Sequence, residues 1–136
     1  MNFRKHFFIN LTILLILWFL LTDITFSMIF IALFWGVLIP DADHKFKRHR
    51  YFLFHSITFP LLAFIFEPST LLALMIFSQS LHLLCDIRFN RSKMIGFYTI
   101  KITKHRGLNG INSTIFLISN FIIGLTILTV WVWFYV

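Results

Sequence analysis

The sequence predicts an all-α integral membrane protein, a polytopic bundle of five transmembrane helices with the N-terminus inside and the C-terminus outside. Three observations carry that expectation. The 136 residues are 59% hydrophobic and only 12% charged, with a mean hydropathy of +0.87. A soluble domain of this size needs more polar surface than that to cover its core. Apolar runs recur at 6–22, 24–39, 51–66, 70–87 and 112–136, near the length that a bilayer demands. Finally, all twelve Lys and Arg fall in segments 1–5, 40–50 and 88–111, whereas the intervening turns hold only Asp23 and Glu67. Basic residues concentrate in cytoplasmic loops, so this asymmetry sets the orientation. The whole chain reads as one membrane domain.

Each run has its own punctuation. Arg4 and Lys5 precede the first, whose end, Phe19-Leu20-Leu21-Thr22-Asp23, lacks the small-x-small pattern of a cleaved signal peptide. A turn at Asp23 leads to the second run, which Pro40 is expected to stop; that leaves roughly 24 Å of helix, short for a bilayer. The third run spans Tyr51 to Phe66. Glu67-Pro68-Ser69 makes a tight turn, with Pro68 suited to a helix start, and the fourth run follows. Loop 88–111 is basic, with a mildly apolar patch at 94–100. The last run ends in Trp131-Val132-Trp133-Phe134-Tyr135, an interfacial aromatic belt.

Chemistry concentrates in two places. The stretch 40–55 holds two of the five acidic residues and three of the six histidines. His82-Leu83-Leu84-Cys85-Asp86 closes the fourth run. Carboxylates and imidazoles together supply hard oxygen and borderline nitrogen, a donor set for a divalent metal, with zinc the leading candidate. The hairpin through Pro68 places His55 and His82 at matched depth, each about one turn inside the cytoplasmic end. Asp86 lies four residues beyond His82, and Gln79 extends the same face. The second run delivers Asp41 and Asp43 to that level. Ionisable groups near hydrocarbon are costly unless paired or bound to metal. Candidate ligands are therefore Asp41, Asp43, His55, His82 and Asp86. His44 and His49 are candidate proton-transfer groups, and Arg50, Lys47 and Arg48 candidate phosphate contacts.

Plainer readings stand beside these. Asp41 and Asp43 could pair with Lys45 and Arg48 in a solvated loop, and His55 and His82 could be neutral histidines bonded to neighbouring helices. His6 is expected at the interface, His105 in a solvated basic loop, and Cys85 in packing. A single cysteine excludes a disulfide framework and a multi-cysteine zinc site. The net charge of +7 is accounted for by loop placement, which favours anionic inner-leaflet lipid over nucleic acid as the partner.

The order Pro40-Asp41-Ala42-Asp43-His44, His49-Arg50, His55-Ser56 and His82-Leu83-Leu84-Cys85-Asp86 resembles the motif order of the YdjM-like family. Those small bacterial inner-membrane proteins are described as membrane-bound, metal-dependent hydrolases. The family is itself distantly similar to zinc-dependent phospholipase C and a class of nucleases, which implies phosphodiester chemistry. The resemblance covers about residues 28–100. The chain departs from the family pattern at Tyr51, where many members have Gly, and at Phe54, where the pattern has Thr. The resemblance implies a multi-pass protein of the bacterial inner membrane that hydrolyses an ester or phosphodiester at the cytoplasmic face, with a lipid as one candidate substrate. Two other classes remain open at this stage: a non-enzymatic metal-binding membrane module and a small membrane interaction protein.

Overall fold

The computed structural model describes residues 3–41, 54–87, 100–101, 107–108 and 111–136. Five helices carry the fold: α1 (Phe3–Leu20), α2 (Phe26–Asp41), α3 (Thr58–Phe66), α4 (Thr70–Cys85) and α5 (Ile111–Tyr135). Two strands of two residues each, β1 (Ile100–Lys101) and β2 (Gly107–Leu108), pair antiparallel between α4 and α5.

Helix α4 is the axis of the bundle. Every residue from Ala73 to Leu83 is buried, because α1, α2, α3 and α5 all pack against it. Two glycines permit close approach. A Cβ on Gly36 of α2 would overlap the Ser78 side chain and lie 2.6 Å from its main-chain carbon; one on Gly124 of α5 would overlap Ser80. The buried residues of α5, Ser113, Leu117, Asn120, Gly124 and Leu128, recur every three or four positions and so form the one stripe that faces α4. Trp131 Nε1 donates to Thr70 Oγ1 at 3.0 Å, which pins the far end of that antiparallel pair. Ser69 caps α4 by accepting from the Leu72 N–H at 3.3 Å, and Pro68, expected at the helix start, lies just before that cap.

The core is apolar, built on residues such as Leu14, Ile29, Leu74, Ile76 and Leu117, but it also encloses polar groups. His6, Asn10, His55, Ser56, Ser78, Gln79, Ser80, His82, Ser113 and Asn120 are buried, while Phe19, Phe66 and Trp133 are more than four-fifths exposed.

Three expectations change. The third run is not one helix: α3 begins only at Thr58, and Phe54–Ile57 is turn and bend. Pro60 is the reason. It has no N–H to give to the carbonyl of Ser56, four residues back, and its ring crowds that carbonyl, so a helix containing Pro60 must start shortly before it. Pro40, in contrast, does not stop α2, which runs through it to Asp41. Lastly, among the described residues a single helix, Ile111–Tyr135, is long and apolar enough to cross a membrane, while Phe26–Pro40 and Thr70–Cys85 are apolar but shorter. Sixteen residues give roughly 24 Å and nine roughly 14 Å, against a hydrocarbon core of about 30 Å.

Candidate metal centre

Helix register brings the site together. Along α1, Asn10 meets Ser78 of α4, whose hydroxyl donates to Asn10 Oδ1 at 2.9 Å. One turn earlier on α1 is His6, and one turn later on α4 is His82. The two imidazoles are in contact, with ring centroids 4.2 Å apart and planes tilted by 42°. Asp86, at the end of α4, completes the group: its Oδ1 is 3.5 Å from His6 Nε2 and its Oδ2 is 3.7 Å from His82 Nε2. His55 Nε2 approaches the same Oδ2 at 3.9 Å. All three histidines are buried and Asp86 is half-buried.

At 3.5–3.9 Å the imidazole–carboxylate contacts are longer than hydrogen bonds and within ion-pair distance. Two donor atoms that share a tetrahedral ion, each about 2.0–2.1 Å from it, stand roughly 3.3 Å apart, so the spacing is compatible with co-ligands as well as with ion pairs. One donor atom each from His6, His82 and Asp86 lies within 4.8 Å of the others, so this group could hold a metal ion.

A polar shell surrounds the group. Asn10 Nδ2 donates to the His6 carbonyl at 3.2 Å. Gln79, one turn before His82, accepts from Trp35 Nε1 at 2.9 Å and donates to the carbonyls of Phe54 and Ser56 at 3.1 and 2.8 Å. The Ile57 N–H donates to Asn120 Oδ1 at 3.0 Å. Amide, hydroxyl and indole groups of this inner layer thus bond across four helices and the bend before α3.

Against the sequence expectations, the structure brings together His55, His82 and Asp86. His55 arrives from the bend before α3, not from one turn inside a helix. His6, expected at the interface, is instead 2% exposed and central to the group; this is the candidate ligand that the sequence reading missed. Its signal is the His6/Asn10 pair, two polar residues four apart on one face of an otherwise apolar run. Cys85 is a half-buried free thiol outside the group. Asp41 ends α2, and because Gly36 abuts Ser78 in helices that run the same way, its backbone is level with about Leu83. Asp43, His44, Lys47, Arg48, His49, Arg50 and His105 lie outside the described residues, as does the Asp41 side chain. No protein-family model, no curated protein and no solved structure matches the chain.

Proposed function

We propose that this chain is a multi-pass membrane protein that uses a divalent metal ion, zinc by its donor set, to hydrolyse an ester or phosphodiester at the cytoplasmic face of a bacterial inner membrane. The observation that carries the reading is the convergence of His6, His82 and Asp86, with His55 beside them, at one end of a bundle whose outer surface is apolar. Ionisable groups gathered at such depth are functional candidates by default.

Membrane residence is supported by the apolar exterior. Phenylalanine, isoleucine and leucine cover the outside, while several polar side chains are enclosed among the helices. Short α2 and α4 suit a locally thinned bilayer or one lined by snorkelling loop lysines. The non-helical backbone of 54–57 fits the same setting, since such backbone is tolerated at membrane depth where protein buries and bonds it. The confinement of all twelve Lys and Arg to segments 1–5, 40–50 and 88–111 supports a cytoplasmic His–Asp end at headgroup level, where an anionic lipid is the nearest phosphodiester.

His6, His82 and Asp86 would hold the ion, and Asp41 and Asp43 are placed by sequence to join them. A bound divalent ion supplies Lewis acidity and a bound water that ionises near neutral pH. The chain's own residues do the rest. His44 or His49 transfers the proton to the leaving oxygen, and Arg50, with Lys47 and Arg48, holds the phosphate. The resemblance of the motif order to membrane-bound hydrolases supports this assignment. One observation favours a second reading: if His55 completes a set of four protein donors, no position remains for water, and the site is that of a non-catalytic metal module.

The test is elemental analysis and turnover on protein purified in detergent. His44→Ala, His49→Ala and Arg50→Ala should keep the metal, and at least one should lower hydrolysis of phospholipid or a model phosphodiester by about 10²–10⁴-fold. A metal-loaded wild type that turns over neither substrate, beside three variants with unchanged metal, replaces the hydrolase with the module.

A further inference from the structure

The break before α3 leaves an unusual requirement. Without an N–H on Pro60, the Ser56 carbonyl has no helical donor, and the Phe54 carbonyl lies in the bend. Ser56 is buried and Phe54 half-buried, where an unmet acceptor is expensive. Gln79 meets both. Its Nε2 has two hydrogens and two carbonyl partners, Ser56 at 2.8 Å and Phe54 at 3.1 Å, while its Oε1 accepts from the Trp35 indole at 2.9 Å. Two acceptors on one side and an obligate donor on the other allow only one orientation of the amide. On the opposite edge of the bend, the Ile57 N–H donates to Asn120 Oδ1 at 3.0 Å, and Asn120 Nδ2 donates to the Phe116 carbonyl at 2.8 Å.

The bend is thus held by side chains from α4 and α5 and oriented from α2, not by its own backbone pattern. His55 lies between the two carbonyls that Gln79 holds. Fixing the peptide before His55 and the second peptide after it fixes the direction of its Cα–Cβ bond. That direction delivers Nε2 to within 3.9 Å of Asp86 Oδ2.

We infer that Gln79 is a positioning residue: oriented by Trp35, its amide clamps the carbonyls that flank His55 and so sets His55 in place as the fourth donor beside His6, His82 and Asp86. The metal-binding part of this role rests on the metal site common to both readings above, and a fourth protein donor is what the second of them, the non-catalytic module, requires. The clamp itself does not, and the two can be tested apart. Gln79→Met keeps the volume and removes all three bonds. Trp35→Phe keeps both carbonyl bonds and removes only the orienting one.

The first measurement uses metal-free protein in detergent and follows acylation of each histidine by diethyl pyrocarbonate, read by mass spectrometry. Both His55 and His82 are buried, so His82 serves as the internal reference. Losing two carbonyl bonds at once should favour local opening of the bend by a factor of roughly 10–100, and the His55-to-His82 rate ratio should rise accordingly in Gln79→Met, with a smaller rise in Trp35→Phe. An unchanged ratio, or equal acceleration of both histidines, overturns the clamp. If Gln79→Met does not fold, Trp35→Phe decides by the same ratio. The second measurement is cobalt binding. Gln79→Met should alter the visible bands of the cobalt-loaded protein and weaken affinity roughly 10–100-fold, the usual effect of losing a residue that orients a ligand. Unaltered bands and affinity show that His55 is not a ligand and overturn that part of the inference. Failure of the wild type to bind cobalt at all defeats the metal reading, while the acylation ratio still judges the clamp.

Discussion

Replacing His6 with alanine puts the helix register of the site to its hardest test, because the apolar run around it disguises this residue as an interfacial one. Its Nε2 stands 3.5 Å from Asp86 Oδ1, and its ring lies 4.2 Å from that of His82, so no other described side chain can take its place without moving a helix. A four-donor zinc site releases about 10–16 kcal/mol on binding. An even share per donor is about 2.5–4 kcal/mol, which at about 1.4 kcal/mol per tenfold corresponds to a loss of roughly 10²–10³ in affinity. The assay is competition against a chromophoric chelator with purified protein in detergent. Loss of a buried side chain also leaves a cavity, so Asn10→Ala is the control. It disturbs the same face of α1, breaking the bond from Ser78, yet removes no donor from the group, and its affinity should stay near wild type. His105→Ala, in the basic loop, should do the same. Wild-type affinity in His6→Ala, or an equal fall in Asn10→Ala, refutes the assignment of His6 as a ligand.

Two further outcomes follow from the packing and the charge pattern. Gly36→Ala forces a Cβ into Ser78, 2.6 Å from its main-chain carbon, and should destabilise the bundle by about 1–3 kcal/mol; thermal unfolding in detergent measures this, and an unchanged midpoint would mean that α2 and α4 are not so closely seated. Reporter fusions at Glu67 and after Val136 should both report the outside of the cell, and a cytoplasmic signal at either site removes the shared cytoplasmic end on which the cluster depends.

Much of the site was legible because its residues are spaced by simple rules. His82 and Asp86 are one helical turn apart, and the hairpin through Pro68 returns His55 to the level of His82 by counting alone. What counting could not supply is the conformation at His55. The run from Tyr51 to Phe66 is apolar throughout its latter half and reads as one span, yet Pro60 forbids the Ser56 carbonyl its helical partner. The bend is satisfied by Gln79 and Asn120, which lie 23 and 63 residues away from their partners in the chain. His6 was obscured for a related reason. A histidine near a basic N-terminus belongs equally well at a membrane surface, and only the contact of Asn10 with Ser78 shows which face of α1 is turned inward. Span lengths misled in the other direction, since hydropathy continues through residues that the helices leave out.

The complete burial of α4 has a consequence for how such a chain is made. Segments leave the ribosome in order, and α4 carries Ser78, Gln79, Ser80 and His82 through its middle with no purely apolar side to offer to lipid. Taken alone it is a poor candidate for insertion, since the translocon admits segments largely by their summed transfer free energy. Its partners Trp35, Asn10 and the 54–57 bend have already emerged, but Asn120 and the seat for Ser80 at Gly124 belong to α5, which is translated after it. If the chain is the multi-pass membrane protein proposed above, the fourth segment must wait at the insertion site, or be admitted against helices already in the bilayer, until α5 arrives to close around it. On that reading, truncation before α5 should leave a chain recognised by membrane quality control.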